Sequence, residues 1–200
     1  SYFAPVSYYA SFLRYDRIVI EQWCNYTKQT YRNRCHIAGA NGLLALSVPI
    51  VKPDTIKCPT KDIRISDHGE WRHLHWNAIA SAYGSSPFFE YYQDDIRPFF
   101  EKRYEFLLDF NEEIRRIVCN LIGIEPHIEY SSSYSEPAPG ETDLRDVIHP
   151  KRRKAETILP VQLKPYYQVF SEKYGFQPDL SIIDLLMNMG PESILILQNT

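Results

Sequence analysis

The sequence predicts an α/β fold: one compact domain over residues 1–200, with a mixed or mainly parallel sheet flanked by helices and a helix-rich middle segment. Three observations predict it. Short unbroken apolar runs stand near both ends, helix-period stripes fill the middle, and 200 residues at 44% hydrophobic are enough to close one core of ordinary size.

The elements follow in order. Past Pro5, the spacing of Tyr8, Tyr9, Phe12 and Leu13 predicts a helix. Ile18, Val19 and Ile20 form a β-branched run that reads as a buried parallel strand between Arg17 and Glu21. The Gly39-Ala40-Asn41-Gly42 turn closes a basic segment and leads into a strand over Leu43–Val51. A Pro-rich stretch, Lys52–Thr60, connects to a half-wet strand over Asp62–Ser66. The pattern is helical from Trp71 to Tyr83. From Asp95 to Leu121 one long helix is expected, with Pro98 in its first turn and a stop at Gly123. A strand over His127–Tyr130 precedes a Ser-, Pro- and Gly-rich loop, Ser131–Gly140. Pro165 is expected to open a helix through Tyr174, and Ser181 with Asp184 to form a capping box for the next. The run Ile194-Leu195-Ile196-Leu197 suggests a final buried strand.

Composition removes several function classes. The formal net charge is -3, with 22 Lys and Arg scattered among 25 Asp and Glu, so no protein-wide basic field favours nucleic acid. The run Lys151-Arg152-Arg153-Lys154 reads as a solvated segment. Cys24, Cys35, Cys58 and Cys119 lack zinc-site spacing, and no metal site is expected. No apolar run approaches ~18 residues, so no membrane span is expected, and a cytoplasmic location with reduced thiols is the simplest assignment. Phosphate-loop, dinucleotide-binding, nucleophile-elbow and H-E-x-x-H signatures are absent. The sequence names no cofactor and no oligomeric state.

Candidate chemistry concentrates in three places. Lys28, Arg32, Asn33 and Arg34 form the densest basic segment, suited to phosphate or carboxylate oxygens, although a solvated face explains such charges equally well. His73 and His75 diverge by roughly 200° on a helix, which argues against a shared metal, whereas His75 and Tyr83 return to one face as an acid or base with a donor. A hydrogen-bonded pair at the core edge is the commoner outcome. Near the carboxyl end, Gln168, Asp179, Ser181 and Asp184 surround helix starts. Capping accounts for Ser181 and Asp184, and leaves Asp179 as a candidate catalytic group. The 15 Tyr fit either an aromatic core or an aromatic-lined cleft.

Several stretches, taken together and in order, resemble the WbqC-like family: S-Y-F-A-P-V-S-Y-Y-A, Y-T-K-Q-T-Y-R-N-R-C-H-I-A-G-A-N-G followed by L-S-V-P, W-R-H-L-H-W-N-A-I-A-S-A-Y-G-S-S-P-F-F-E-Y-Y, and P-Y-Y-Q-V-F-S-E-K-Y-G-F-Q-P-D-L-S-I-I-D-L-L-M-N-M-G-P. The resemblance implies a role in bacterial surface-polysaccharide, O-antigen-type biosynthesis. It directs attention to Lys28, Arg32, Asn33, Arg34, His75, Tyr83, Gln168, Asp179, Ser181 and Asp184. The expectation is a transferase acting on a sugar or amino-sugar nucleotide, by acyl or other group transfer. The basic cluster would hold an anion, and His75 would take the proton. A non-catalytic protein that binds a glycan or a biosynthetic partner is the alternative, and a nucleotidyl-transfer enzyme a more distant one.

Overall fold

A computed structural model describes residues 1–55, 57–152 and 163–200. Helices and two small sheets alternate: α1 (Val6–Arg14), β1 (Ile18–Ile20), β2 (Arg34–Gly39), β3 (Gly42–Ser47), α2 (Trp71–Tyr83), α3 (Phe89–Ile96), α4 (Pro98–Glu101), α5 (Leu107–Ile122), β4 (Ile128–Tyr130), α6 (Ser171–Tyr174), α7 (Ile182–Met189) and α8 (Ser193–Gln198). The class is mixed α/β. β1 pairs parallel with β4, Ile18 facing Ile128 and Ile20 facing Tyr130, while β2 and β3 form an antiparallel hairpin closed from Gly39 to Gly42. Among the described residues no helix is long and apolar enough to cross a membrane.

Aromatic rings dominate the core. Tyr2 stacks on Phe110 at 5.7 Å, and Phe3 meets Phe99 edge-on and Phe100 face-on, each at 5.9 Å. Helix α5 supplies Leu107, Phe110, Ile114 and Val118 on its buried stripe, as the 3.6-residue period requires, and stops at Gly123, which takes φ 79°.

Four expected elements differ. The long helix from Asp95 is three helices. After Glu101 the chain turns extended so that Glu105 and Leu107 can bond Ile65 and Ile63, and Arg64 bridges Phe106. That pairing is all that forms of the strand expected at Asp62–Ser66, which stands as isolated bridges to Phe106 and Ile50. Pro165 opens no helix: residues 163–168 run without helical structure, and α6 begins at Ser171. The apolar run Ile194–Leu197 lies in helix α8, because an unbroken run of that length carries no period to separate strand from helix. In the basic run at 151–154, Arg153 and Lys154 lie outside the described residues.

Gly190 sets the turn into α8. It holds φ 55° and ψ -130°, and an added Cβ would stand 2.5 Å from the Phe88 ring. Both strain and overlap oppose any side chain there. Gly190→Ala is therefore expected to destabilise by about 2–4 kcal/mol, lowering Tm by roughly 5–15 °C in a chain this size, measurable by thermal or urea unfolding.

Candidate functional site

A cavity of about 390 Å³, within the size range of small-molecule sites, opens between α1, β1 and the first half of α5. Tyr8, Ser11 and Phe12 of α1 form one wall, Ile18–Ile20 another, and Leu108, Asn111 and Glu112 of α5 a third. The loop 30–32 and residues between Ser135 and Ile148, downstream of β4, complete it.

Arg32 is the lining arginine that makes no ion pair among the described residues, although the Asp143 carboxylate on the same lining feels its charge. The Arg32 backbone is fixed at both ends: the N–H donates to Thr30 Oγ1 at 3.3 Å, and the carbonyl accepts from Asn111 Nδ2 at 2.8 Å. Its Nη2 lies 3.3 Å from Cys24 Sγ, and no carboxylate among the described residues stands within ion-pair distance. The other two lining arginines are engaged, Arg17 with Glu129 and Glu141, Arg145 with Asp143 and Glu136. A half-buried guanidinium whose backbone is held at both ends and whose hydrogen-bond partner is the weak acceptor Cys24 Sγ suits an incoming phosphate or carboxylate.

Around it are hydroxyls and two kinds of carboxylate. Ser11, Thr30 and Thr60 line the cavity, as does Asn111, which is only 3% exposed and has a buried amide oxygen with no partner. Glu112 is locked: Arg115 reaches it at 2.8 Å with both side chains 8% exposed, and Tyr130 donates to it at 2.7 Å. Desolvation opposes the charge on Arg115, but Glu112 and Tyr130 more than offset it and hold the guanidinium well above its ordinary pKa. Asp16 is exposed and has neither an ion pair nor a hydrogen bond among the described residues.

Of the basic segment expected to bind substrate, only Arg32 lines this cavity. Lys28 is exposed, Asn33 donates to Val48 O at 3.0 Å, and Arg34 donates to Ser47 Oγ at 2.8 Å, so the last two brace the β2–β3 hairpin. His75 and Tyr83 share helix α2 but not a partner. His75 Nδ1 lies 2.8 Å from the Tyr2 hydroxyl, and burial drives its pKa down to about 4. Tyr83 Oη accepts from Ala38 N–H at 3.3 Å and donates to Asp184 at 2.9 Å.

Asp184 collects three donors: Tyr83, Tyr166 at 2.7 Å and Gln168 at 2.8 Å. It is fully buried, and burial pushes its pKa up to about 6 against the pull of those three donors. The expected capping box is not formed. Ser181 does cap α7 through Ile183 N–H, but its own N–H bonds His36 O, and the Asp184 side chain is spent on the tyrosines. Asp179 accepts from Ser7 N–H at 2.9 Å and Ser7 Oγ at 3.0 Å, which satisfies a free donor in the first turn of α1. The structure thus brings Tyr83, Gln168 and Asp184 together in the core, with Asp179 at a helix start, all away from the cavity lining.

Sequence reasoning missed Asp16, Ser11, Thr60, Asn111 and Glu112. A signal existed for two of them: Asn111 and Glu112 sit among the apolar positions of α5, where a polar residue needs a reason. Among the described residues no group of three or more His, Cys, Asp or Glu is placed to hold a metal ion.

The arrangement defines a class: a mixed α/β protein with a ligand-sized cavity, lined by arginines and hydroxyls, beside a parallel strand pair. Residues 1–159 match the WbqC-like protein family, and the chain belongs to it. It is also similar to Rv1507c of Mycobacterium tuberculosis, an uncharacterized protein, at 25% identity over 214 residues, covering 96% of this chain and 89% of that one. No solved structure matches the chain significantly.

His75 and Asp184 give the fold opposing pH dependences. Between about pH 4 and 6 the native Asp184 keeps a proton that its unfolded form, near 3.8, has lost, so its contribution to stability falls as pH rises. His75 is the reverse: its unfolded form, near 6.5, binds a proton that the native form refuses, so its contribution rises with pH. His75→Gln preserves an acceptor for Tyr2 and removes the second term. Its stability relative to the unsubstituted chain is expected to fall by about 3 kcal/mol between pH 4 and 6.5, read from urea midpoints. An unchanged difference across that range would mean that His75 is not held neutral in the fold.

Proposed function

We propose that this protein is a group transferase of bacterial surface-polysaccharide biosynthesis, acting on a sugar or amino-sugar nucleotide in the cytoplasm, with the α1–β1–α5 cavity as its site. The observation that carries the reading is Arg32, an arginine with no carboxylate in ion-pair contact among the described residues, on a ligand-sized cavity lined by hydroxyls. In this reading Arg32 holds a phosphate or carboxylate, Ser11, Thr30 and Thr60 meet sugar hydroxyls, and Asp16 accepts the proton of the attacking amine or hydroxyl. His75, Tyr83, Asp179 and Gln168 serve the framework, and Lys28 remains at the surface.

A binding role without turnover has one observation in its favour: the cavity lining contains no histidine, and its buried carboxylate, Glu112, is tied to Arg115. Two substitutions separate the readings. Arg32→Ala is expected to weaken a sugar nucleotide such as UDP-N-acetylglucosamine by roughly 10- to 100-fold, seen by calorimetry or thermal shift. Asp16→Asn is expected to leave that affinity within roughly threefold while lowering transfer rate by about 100-fold or more. Binding lost in neither variant would remove the cavity from the reading. Binding with no transfer to any amine or hydroxyl acceptor would favour the non-catalytic role.

A further inference from the structure

We infer that the free edge of β3 is a homodimer interface, on which a second copy of this chain lays its own β3 antiparallel, about a two-fold axis through Ala45. The other edge of the hairpin is already spent. The Ala38 N–H of β2 donates to Tyr83 Oη of α2 at 3.3 Å, and His36 O accepts the Ser181 N–H at 2.8 Å. Both groups point away from β3. Residues facing each other across an antiparallel ladder alternate between pairs that exchange bonds and pairs that do not. Ala38 with Leu43, and His36 with Ala45, are therefore pairs of the second kind. At the open end Val48 N–H bonds Asn33 O at 2.8 Å, which places Arg34 with Ser47 in the same phase.

Leu43, Ala45 and Ser47 consequently point N–H and C=O away from β2. Among the described residues no hydrogen bond reaches those backbone groups. Sheet edges open to water are ordinarily blunted by a charge, a proline or a bulge. The strand Gly42-Leu43-Leu44-Ala45-Leu46-Ser47 has none of these, and its register with β2 is continuous. Leu43 is 45% and Leu44 41% exposed. The hairpin tip is held still, because Ala40 O accepts from Lys173 Nζ and Tyr174 Oη, each at 2.9 Å. Little ordering is left to oppose pairing.

The pattern of the edge selects an identical strand. Opposed residues in a sheet share a face, so a two-fold normal to the sheet passes through a residue and not between two. Placed at Ala45, the axis sets Ala45 against the partner's Ala45 and Leu43 against the partner's Ser47. Every outward N–H and C=O of these residues then meets a mate. Placed at Leu44, it would leave Ser47 beyond the end of the facing strand. The Ala45 register also sets Leu44 beside the partner's Leu46, on the face where Leu46 is only 5% exposed, so the buried side of the hairpin continues across the axis. No side chain of β3 is charged, so two copies meet without like-charge repulsion.

The test is sedimentation velocity of the intact chain from about 5 to 500 μM, with amide exchange followed by NMR at the upper end. Reversible dimerisation is expected with Kd roughly 10–100 μM, the weakness that one strand pair implies. Exchange is expected to slow at Leu43, Ala45 and Ser47 as the dimer fills. Ala45→Glu sets two like charges against each other on the axis while leaving the bonds to β2 in place. It is expected to raise Kd at least ~10-fold and to leave the Tm of the dilute protein within about 2 °C. Leu74→Glu, at a 60% exposed position of α2, is expected to leave Kd within roughly twofold. A chain that stays monomeric throughout overturns the inference, as does a dimer that persists in Ala45→Glu or one that leaves those three amides unprotected.

Discussion

A carboxylate with no access to water organises the carboxyl-terminal part of the fold. Asp184 on α7 is reached by Tyr83 from α2 and by Tyr166 and Gln168 from the segment before α6. Tyr83 in turn takes the Ala38 N–H of β2, and Gln168 pairs through both amide atoms with the backbone of Gln177. One side chain thereby fixes four stretches of chain against one another. Such a group is tolerable only because each donor is present, since an unpaired buried carboxylate costs far more than any single bond returns. Burial also raises both tyrosines well above their ordinary pKa, so they stay protonated and keep donating.

The seam beside that hub positions the cavity. The backbone of 179–182 bonds to the first residues of the chain: Val6 N–H to Leu180 O, Ile182 N–H to Ala4 O, and Ser181 Oγ to Phe3 O. Asp179 then satisfies Ser7, and α1 starts in a fixed direction. That direction carries Tyr8, Ser11 and Phe12 onto the cavity wall. The residues proposed to meet ligand therefore depend on polar contacts that never touch it.

The elements legible in the sequence were those whose signal is local. The β-branched run at Ile18–Ile20, the Gly-bounded turn at Gly39–Gly42, helix α2 and the end of α5 at Gly123 each stand close to where pattern put them, although the run expected to be buried leaves Val19 exposed because the two-stranded sheet has little to cover that face. The stretch around Glu105 did not, because its backbone bonds were claimed by residues 63–65, about forty positions away. The run before Asn199 did not either, since four apolar residues in succession fit either period. For the site, the basic segment was visible, but its residues are indistinguishable in composition. Arg32 differs from Arg34 in its partners: Thr30, Asn111 and Cys24 hold Arg32, whereas Arg34 is tied to Ser47 across the hairpin.

What the sequence by itself determined is the α/β class, the family and the presence of a densely basic segment, because periodicity, turn residues and charge are properties of neighbours along the chain. Tertiary structure alone decided that His75, Tyr83 and Asp179 satisfy core partners, and that Arg32, Asp16 and Asn111 share a cavity. Whether a polar group is consumed or left available depends on which distant donor or acceptor arrives beside it. Asp179 meets Ser7 across 172 residues, and no local pattern records that meeting.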